Sequence, residues 1–200
     1  MDPSDAMLAF LPPAHVTQRV VIELLPILCG VPVWFAESLK KLPQEFARVR
    51  PTIFVAPPRF WERIHASIRM GLRRRGRFAE ALFDRALRLA TDARAGRRLA
   101  LPKRLLLAAA DRLFFRPLRA RFGGRLRVCG SGAAPLGKDL AEFFLALGLP
   151  LIEGYGITEA GVVILNPCGQ TRPGSIGKPL QGIETALHPL RRSAASQSAS

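Results

Sequence analysis

The sequence predicts an α/β fold: a mostly parallel sheet flanked by helices, with a basic helical segment set into it. Short apolar runs of strand length alternate with stretches whose apolar residues recur every three or four positions. That alternation continues over most of the chain, the order expected of a sheet with helices on its faces. The 200 residues, 48% hydrophobic and 22% charged, have a globular composition and fit one ordinary domain that can bury a core.

Residues 7–11 are a short apolar run closed by Pro12-Pro13, a strand. Residues 14–29 read as a helix ended near Gly30, and 31–35 as a second strand. Ser38 can cap a helix running to Val49. Residues 52–56, rich in β-branched side chains, form a buried strand stopped by Pro57-Pro58. Phe60, Ile64, Ile68 and Leu72 then make one apolar helical stripe, and Phe78, Leu82, Ala86 and Leu89 a second. Residues 105–118 give a third helix. The chain returns to strand at 126–129, loops through 130–135, and forms a helix over 136–147 with Gly148 as its stop signal. A strand at 150–153, a turn-rich loop at 154–161 and a strand at 162–165 follow. Residues 167–182 read as Gly/Pro-rich loop, and the Ser/Ala/Gln tail at the end as disordered.

The formal net charge of +15 is concentrated. Positions 59–127 carry 20 basic and 5 acidic residues, and the rest of the chain is balanced. Such a block attracts polyanions, among them nucleotides, CoA, anionic lipid and nucleic acid. It is equally the pattern of a solvated Arg-rich helical surface. Cys29, Cys129 and Cys168, and His15, His65 and His188, are too scattered for a disulfide framework or a zinc site. With no basic signal-peptide start and no apolar stretch long enough to span a bilayer, the chain reads as cytoplasmic, with peripheral contact at the inner face of the membrane open to the basic block.

Two loops carry candidate chemistry. Gly130-Ser131-Gly132-Ala133-Ala134-Pro135 joins a strand to a helix and approaches the dinucleotide fingerprint, with Glu153 ending the next strand where a ribose-binding acid is expected. Pro135 stands where that fingerprint has its third glycine. A tight β–α turn explains the same residues. Gly154-Tyr155-Gly156-Ile157-Thr158-Glu159 follows a buried strand, at the carboxyl edge where open α/β sheets bind ligands. Tyr155, the chain's one tyrosine, can lie flat on a base. Thr158 offers a hydroxyl to phosphate, and Glu159 a hard oxygen to Mg²⁺. An isolated hexapeptide of this kind would more simply be a surface turn. Arg172-Pro173-Gly174-Ser175-Ile176-Gly177-Lys178-Pro179 follows closely and is not a Walker loop, since Arg172 and Pro179 replace its first Gly and its Ser/Thr.

Taken together and in order, these three stretches resemble the adenylate-forming, AMP-binding synthetases. Phe10-Leu11-Pro12-Pro13-Ala14-His15-Val16, Phe35-Ala36-Glu37-Ser38, and Arg50-Pro51-Thr52-Ile53-Phe54-Val55-Ala56-Pro57-Pro58-Arg59-Phe60-Trp61-Glu62 resemble the long-chain fatty acyl-CoA synthetase branch. The resemblance covers residues 7–187 and implies part of the large N-terminal domain over 1–187, with a tail at 188–200. It implies activation of a fatty acid by Mg-ATP to an acyl-adenylate, then transfer to CoA. By the same likeness Tyr155 stacks on adenine, flanked by Gly154 and Gly156, and Gly132, Ala133 and Pro135 line the adenine through their backbone. Thr158 contacts phosphate, Glu159 holds Mg²⁺, and His15 sits near the acyl entry and the reacting carboxylate; a core or capping role is the alternative reading of a lone His. Trp61 reads as core.

The family's phosphate loop, its ribose-binding Asp, and its hinge and small domain with the catalytic Lys have no counterpart in these residues. Negligible synthetase activity is therefore expected from this chain alone, since adenylyl transfer depends on charges positioned around the phosphates. Exposed apolar sheet edges and poor solubility are expected with it. Two other readings compete: a dinucleotide-binding oxidoreductase fragment built on residues 130–153, and a non-catalytic basic module binding nucleic acid or anionic membrane through 59–127. The first leaves Tyr155 to Lys178 unexplained.

Overall fold

The computed structural model describes residues 1–12 and 14–186; the expected tail at 188–200 lies outside them. Among the described residues seven strands form one sheet: β1 (Met7–Ala9), β2 (Val33–Phe35), β3 (Ile53–Val55), β4 (Val128–Ser131), β5 (Leu151–Ile157), β6 (Gly161–Leu165) and β7 (Lys178–Pro179), in the order β2-β1-β3-β4-β5-β6-β7. The first five are parallel, because a helical crossover separates each from the next in sequence. β5 and β6 are joined by the short turn at 158–160 and therefore run antiparallel, as do β6 and β7.

Alternate strand residues sort onto two faces. Leu8, Phe54, Cys129 and Leu151 point to one side, where α2 (Leu42–Val49), α3 (Pro58–Arg74), α4 (Arg77–Arg94) and α7 (Lys138–Ala146) pack over them. Trp61 is fully buried there, edge-on to Phe54 and Phe144, with its indole N–H donating to the Ala56 carbonyl at 3.2 Å. Its reading as core holds. On the opposite face Met7, Ala9 and Ile53 pack with Ile22 and Val31 in a smaller cluster.

Two expected helices are not regular. Residues 14–29 divide into a π-wound segment (Gln18–Leu24) and a short α1 (Leu25–Cys29). The helix expected over 105–118 is longer and interrupted: α5 (Leu101–Ala110), a π-wound turn (Asp111–Phe115), then α6 (Arg116–Ala120). Each π segment immediately precedes a proline near the start of the next helix, Pro26 and Pro117. Proline lacks an N–H and crowds the carbonyl four residues back, so the preceding turn widens instead of continuing at 3.6 residues.

The turn-rich loop expected over 154–161 is corrected as well. β5 continues as strand through Gly154, Tyr155 and Gly156 to Ile157, with a register shift between Tyr155 and Gly156. Glycine permits this: a Cβ on Gly156 would meet the Gly161 carbonyl oxygen at 2.3 Å. The loop expected over 167–182 contains β7. At the other edge of the sheet, β2 leaves Phe35 68% and Trp34 46% exposed, the apolar edge that was expected. No helix among the described residues is long and apolar enough to cross a membrane.

Candidate functional site

The site begins with two neighbouring strands. β4 and β5 are paired so that Ser131 lies beside Glu153; β4 ends there at the carboxyl edge, while β5 runs on to pair with β6. Gly132 follows at once, and a Cβ there would come within 3.1 Å of the Gly154 carbonyl oxygen. The two glycine motifs therefore touch through their backbones, and any larger residue at 132 would force them apart. Ala133 turns the chain with a positive φ of 68°, and Ala133, Ala134 and Pro135 are all exposed.

Glu153 holds this corner from below. Its buried carboxylate accepts the N–H of Leu136 at 2.8 Å, just before α7 starts. That bond fixes the loop 132–135 and places a negative charge near the positive end of the helix. It also turns the carboxylate inward, so Glu153 does not supply the free acid a dinucleotide ribose would need. The Ser131 hydroxyl, 3% exposed, makes no hydrogen bond among the described residues.

The hairpin carries the other candidates. Tyr155 is 46% exposed, and Thr158 and Glu159 stand in the exposed turn between β5 and β6. No three His, Cys, Asp or Glu side chains gather into a metal-holding group among the described residues. Glu159 is thus a single carboxylate, a fit for Mg²⁺ only where phosphate oxygens and water complete the shell.

The third motif closes the edge through Asn166, which sequence reasoning missed. This side chain is 2% exposed. Its amide N–H₂ donates to the carbonyls of Glu153, at 3.2 Å, and of Ser175, and its oxygen accepts the N–H of Arg172 at 3.2 Å. The segment from Arg172 to Ser175 is pinned to β5 at Glu153 in this way. Gly177 then passes with φ 104°, where a Cβ would lie 2.2 Å from the Leu165 carbonyl carbon. The signal for Asn166 was slight: one buried-type amide followed by Pro167 at a strand end. Exposed Cys168 lies in the same loop, whereas Cys129 in β4 is fully buried and burial pushes its thiol up.

His15 is placed on the same edge, after β1, but its setting is local. It is half-buried, and its Nδ1 accepts the N–H of Thr17 at 3.2 Å, in the turn just before the π-wound segment. That segment crosses toward the hairpin: Val20 lies against Gly161, within 3.5 Å of a Cβ placed there. The structure thus brings Gly132, Ala133, Pro135, Gly154, Tyr155 and Gly156 onto two adjoining strand ends, with Thr158 and Glu159 at the tip, and leaves His15 at the end of a more distant strand. Two cavities lie elsewhere, between the basic helices and α7.

A family profile described as AMP-binding enzyme matches residues 1–188. Peroxisomal long chain acyl-CoA synthetase 7 of Arabidopsis thaliana is 34% identical over 188 residues, covering 92% of this chain and 26% of the relative. Long-chain-fatty-acid–CoA ligase FadD15 of Mycobacterium bovis is 35% identical over 184 residues, covering 89% of this chain and 30% of the relative. The chain thus spans between a quarter and a third of the length of these relatives. Among solved structures, the A domain of the carboxylic acid reductase of Segniliparus rugosus, in complex with AMP and a co-purified carboxylic acid, superimposes with a TM-score of 0.58 at 26% identity, covering 81% of this chain and 22% of that one. A malonyl-CoA ligase with methylmalonyl-CoA and AMP bound superimposes with a TM-score of 0.58 at 22% identity, over 92% of this chain and 31% of that one, a likeness of fold alone.

Proposed function

The chain belongs to the AMP-binding enzyme family, and from that premise we propose that it is a segment of an ATP-dependent long-chain fatty acid–CoA ligase, carrying the adenine side of the nucleotide site. Residues 1–187 are then part of the large N-terminal domain. The observation that carries the reading is the contact of Gly132 with Gly154, which joins two glycine motifs into one exposed backbone surface at the carboxyl edge.

On this reading Tyr155 covers one face of the adenine. Gly132 and Ala133, with side chains absent or small, present backbone along its edge, and Pro135 adds its carbonyl and the flat side of its ring. The orphaned Ser131 hydroxyl supports a polar ligand or water at the same corner, because a buried hydroxyl ordinarily finds a partner. Thr158 holds a phosphate oxygen and Glu159 helps hold Mg²⁺. The metal supplies charge neutralisation on the phosphates of ATP. His15, at the end of β1, stands near the acyl side. The overall reaction is the family's: the fatty acid carboxylate displaces pyrophosphate from ATP, and the CoA thiol then displaces AMP from the acyl-adenylate. The basic helices meet CoA or a membrane surface. The residues from 1 to 200 do not complete the chemistry alone, and a measurable acyl-CoA yield from the purified chain would overturn that statement.

Calorimetric titration tests the site. Mg-ATP or AMP is expected to bind and NAD to leave no signal, with Tyr155→Ala weakening the nucleotide about tenfold through lost stacking. Binding of NAD in preference to ATP, or an unchanged affinity in Tyr155→Ala, would overturn the assignment. The buried inward turn of Glu153 already disfavours the dinucleotide alternative.

A further inference from the structure

The basic block is not uniform. Four of its five acids are engaged locally, by Arg69 with Asp84, Arg73 with Glu80, Arg97 with Asp92 and Arg119 with Asp111. Around α5 the cations are free: Arg94, Arg98, Lys103, Arg104, Arg112 and Arg116 are exposed and make no ion pair among the described residues. α5 and the π-wound turn that follows it present large apolar side chains to solvent. Leu101 is 67% exposed, Leu105 64% and Leu113 58%. Their opposite side is anchored in the core by Ala110, Phe114 and Phe115.

Beside this face runs an open groove of about 700 Å³ between the end of α4, α5 and the end of α7. Arg94, Arg98 and Arg104 rim it, and Leu107, Phe115 and Leu145 contribute apolar wall. Arg104 and Ala108 belong both to the groove and to the exposed face of α5.

We propose that the outer face of α5 and the adjoining groove form a docking surface for a bilayer containing anionic phospholipid. This deepens the reading that the basic helices meet a membrane, and rests on it. Exposed leucines flanked by unpaired cations are the pattern of a helix lying in a membrane interface, apolar side chains entering the acyl boundary and cations reaching headgroup phosphates. Nucleic acid would use the cations and leave the leucines in water. A protein partner would have to bury six unpaired cations, whereas interface cores are poor in charge. The fold keeps this surface clear of the nucleotide loops: the end of α7 leads into the start of β5, so the groove opens at the edge of the sheet opposite to Gly132 and Gly154.

The test is co-sedimentation of the 200-residue chain with vesicles of phosphatidylcholine, with and without phosphatidylserine. Binding is expected only where phosphatidylserine is present and is expected to fall with salt. Arg104→Gln with Arg112→Gln should weaken it about thirtyfold, at about a factor of five or more per cation. Leu101→Ser with Leu105→Ser should weaken it about tenfold or more with an unchanged circular dichroism spectrum. Arg63→Gln with Arg85→Gln, on α3 and α4, should change it less than about threefold. No binding by the unaltered chain overturns the membrane reading and this surface together. Binding that the α5 variants leave unchanged overturns the surface alone. If the leucine variant instead abolishes self-association while vesicles are ignored, the face joins two copies and the proposal fails. Vesicle-independent binding of duplex DNA lost in the arginine variant overturns it too.

Discussion

The two edges of the sheet are built on different principles. At the carboxyl edge the three motif stretches are held by backbone geometry and by two buried polar side chains, Glu153 and Asn166, while Tyr155, Thr158 and Glu159 project into solvent. At the amino edge side-chain charge does the fastening. Arg127 bridges Asp2 and the 1%-exposed Asp5, the Thr52 hydroxyl donates to Asp5, and Arg119 donates to the Leu147 carbonyl at 2.8 Å. The candidate side chains of the carboxyl edge stand clear of the folding contacts, whereas the charged side chains of the amino edge make them.

That contrast can be broken by mutation. The largest effect is expected beneath both edges, in the aromatic core: Trp61→Ala should cost about 4 kcal/mol, read from urea denaturation. At the carboxyl edge, Gly177→Ala should cost about 3 kcal/mol, because its positive φ and the Leu165 backbone leave no room for a methyl group. Asn166→Ala should cost about 2 kcal/mol by stranding the Ser175 carbonyl and the Arg172 N–H, and should expose the segment around Arg172 to limited proteolysis.

At the amino edge the signature is acid sensitivity. Burial alone would push the Asp5 carboxyl up, but bonds from Arg127, the Thr52 hydroxyl and the Asp2 N–H outweigh it and hold it at about 2, against 3.8 ordinarily. A carboxylate lowered on folding contributes fully above the unfolded value and loses its contribution as pH falls from about 4 to about 2. The urea midpoint should drop across that window, and Asp5→Asn should remove about 2 kcal/mol at neutral pH and flatten the drop. The smallest effect belongs to Tyr155→Ala, within about 0.5 kcal/mol of the parent in stability. A loss at Tyr155 as large as that at Trp61 would erase the distinction between the edges.

Much of this was legible in the residues. The alternation of strands and helices, the stops at Pro57-Pro58 and Gly148, and the family itself all followed from local pattern. The π-wound turns did not, because an apolar stripe continues through Pro26 and Pro117 while the backbone beneath it cannot. The extension of β5 through Gly154 and Gly156 was hidden for the opposite reason. Two glycines read as a turn in isolation, and only the approach of Gly161 makes them strand residues. Asn166 and Glu153 act through partners distant in sequence, Ser175 and Leu136 among them, and spacing along the chain carries no sign of such bonds.

The unequal cysteines give these ideas a clock. Cys129 sits in β4 directly below the motif corner, with its thiol protonated and shut away from solvent, so an alkylating reagent reaches it only when the sheet itself opens. Cys168 rides in the loop that Asn166 pins and is open to the same reagent in the folded chain. One mass-spectrometric time course therefore records two rates in one molecule, direct reaction of the exposed loop thiol and opening of the sheet. A nucleotide that settles on the carboxyl edge would lengthen the second half-life by the full weight of its binding, whatever it does to the first.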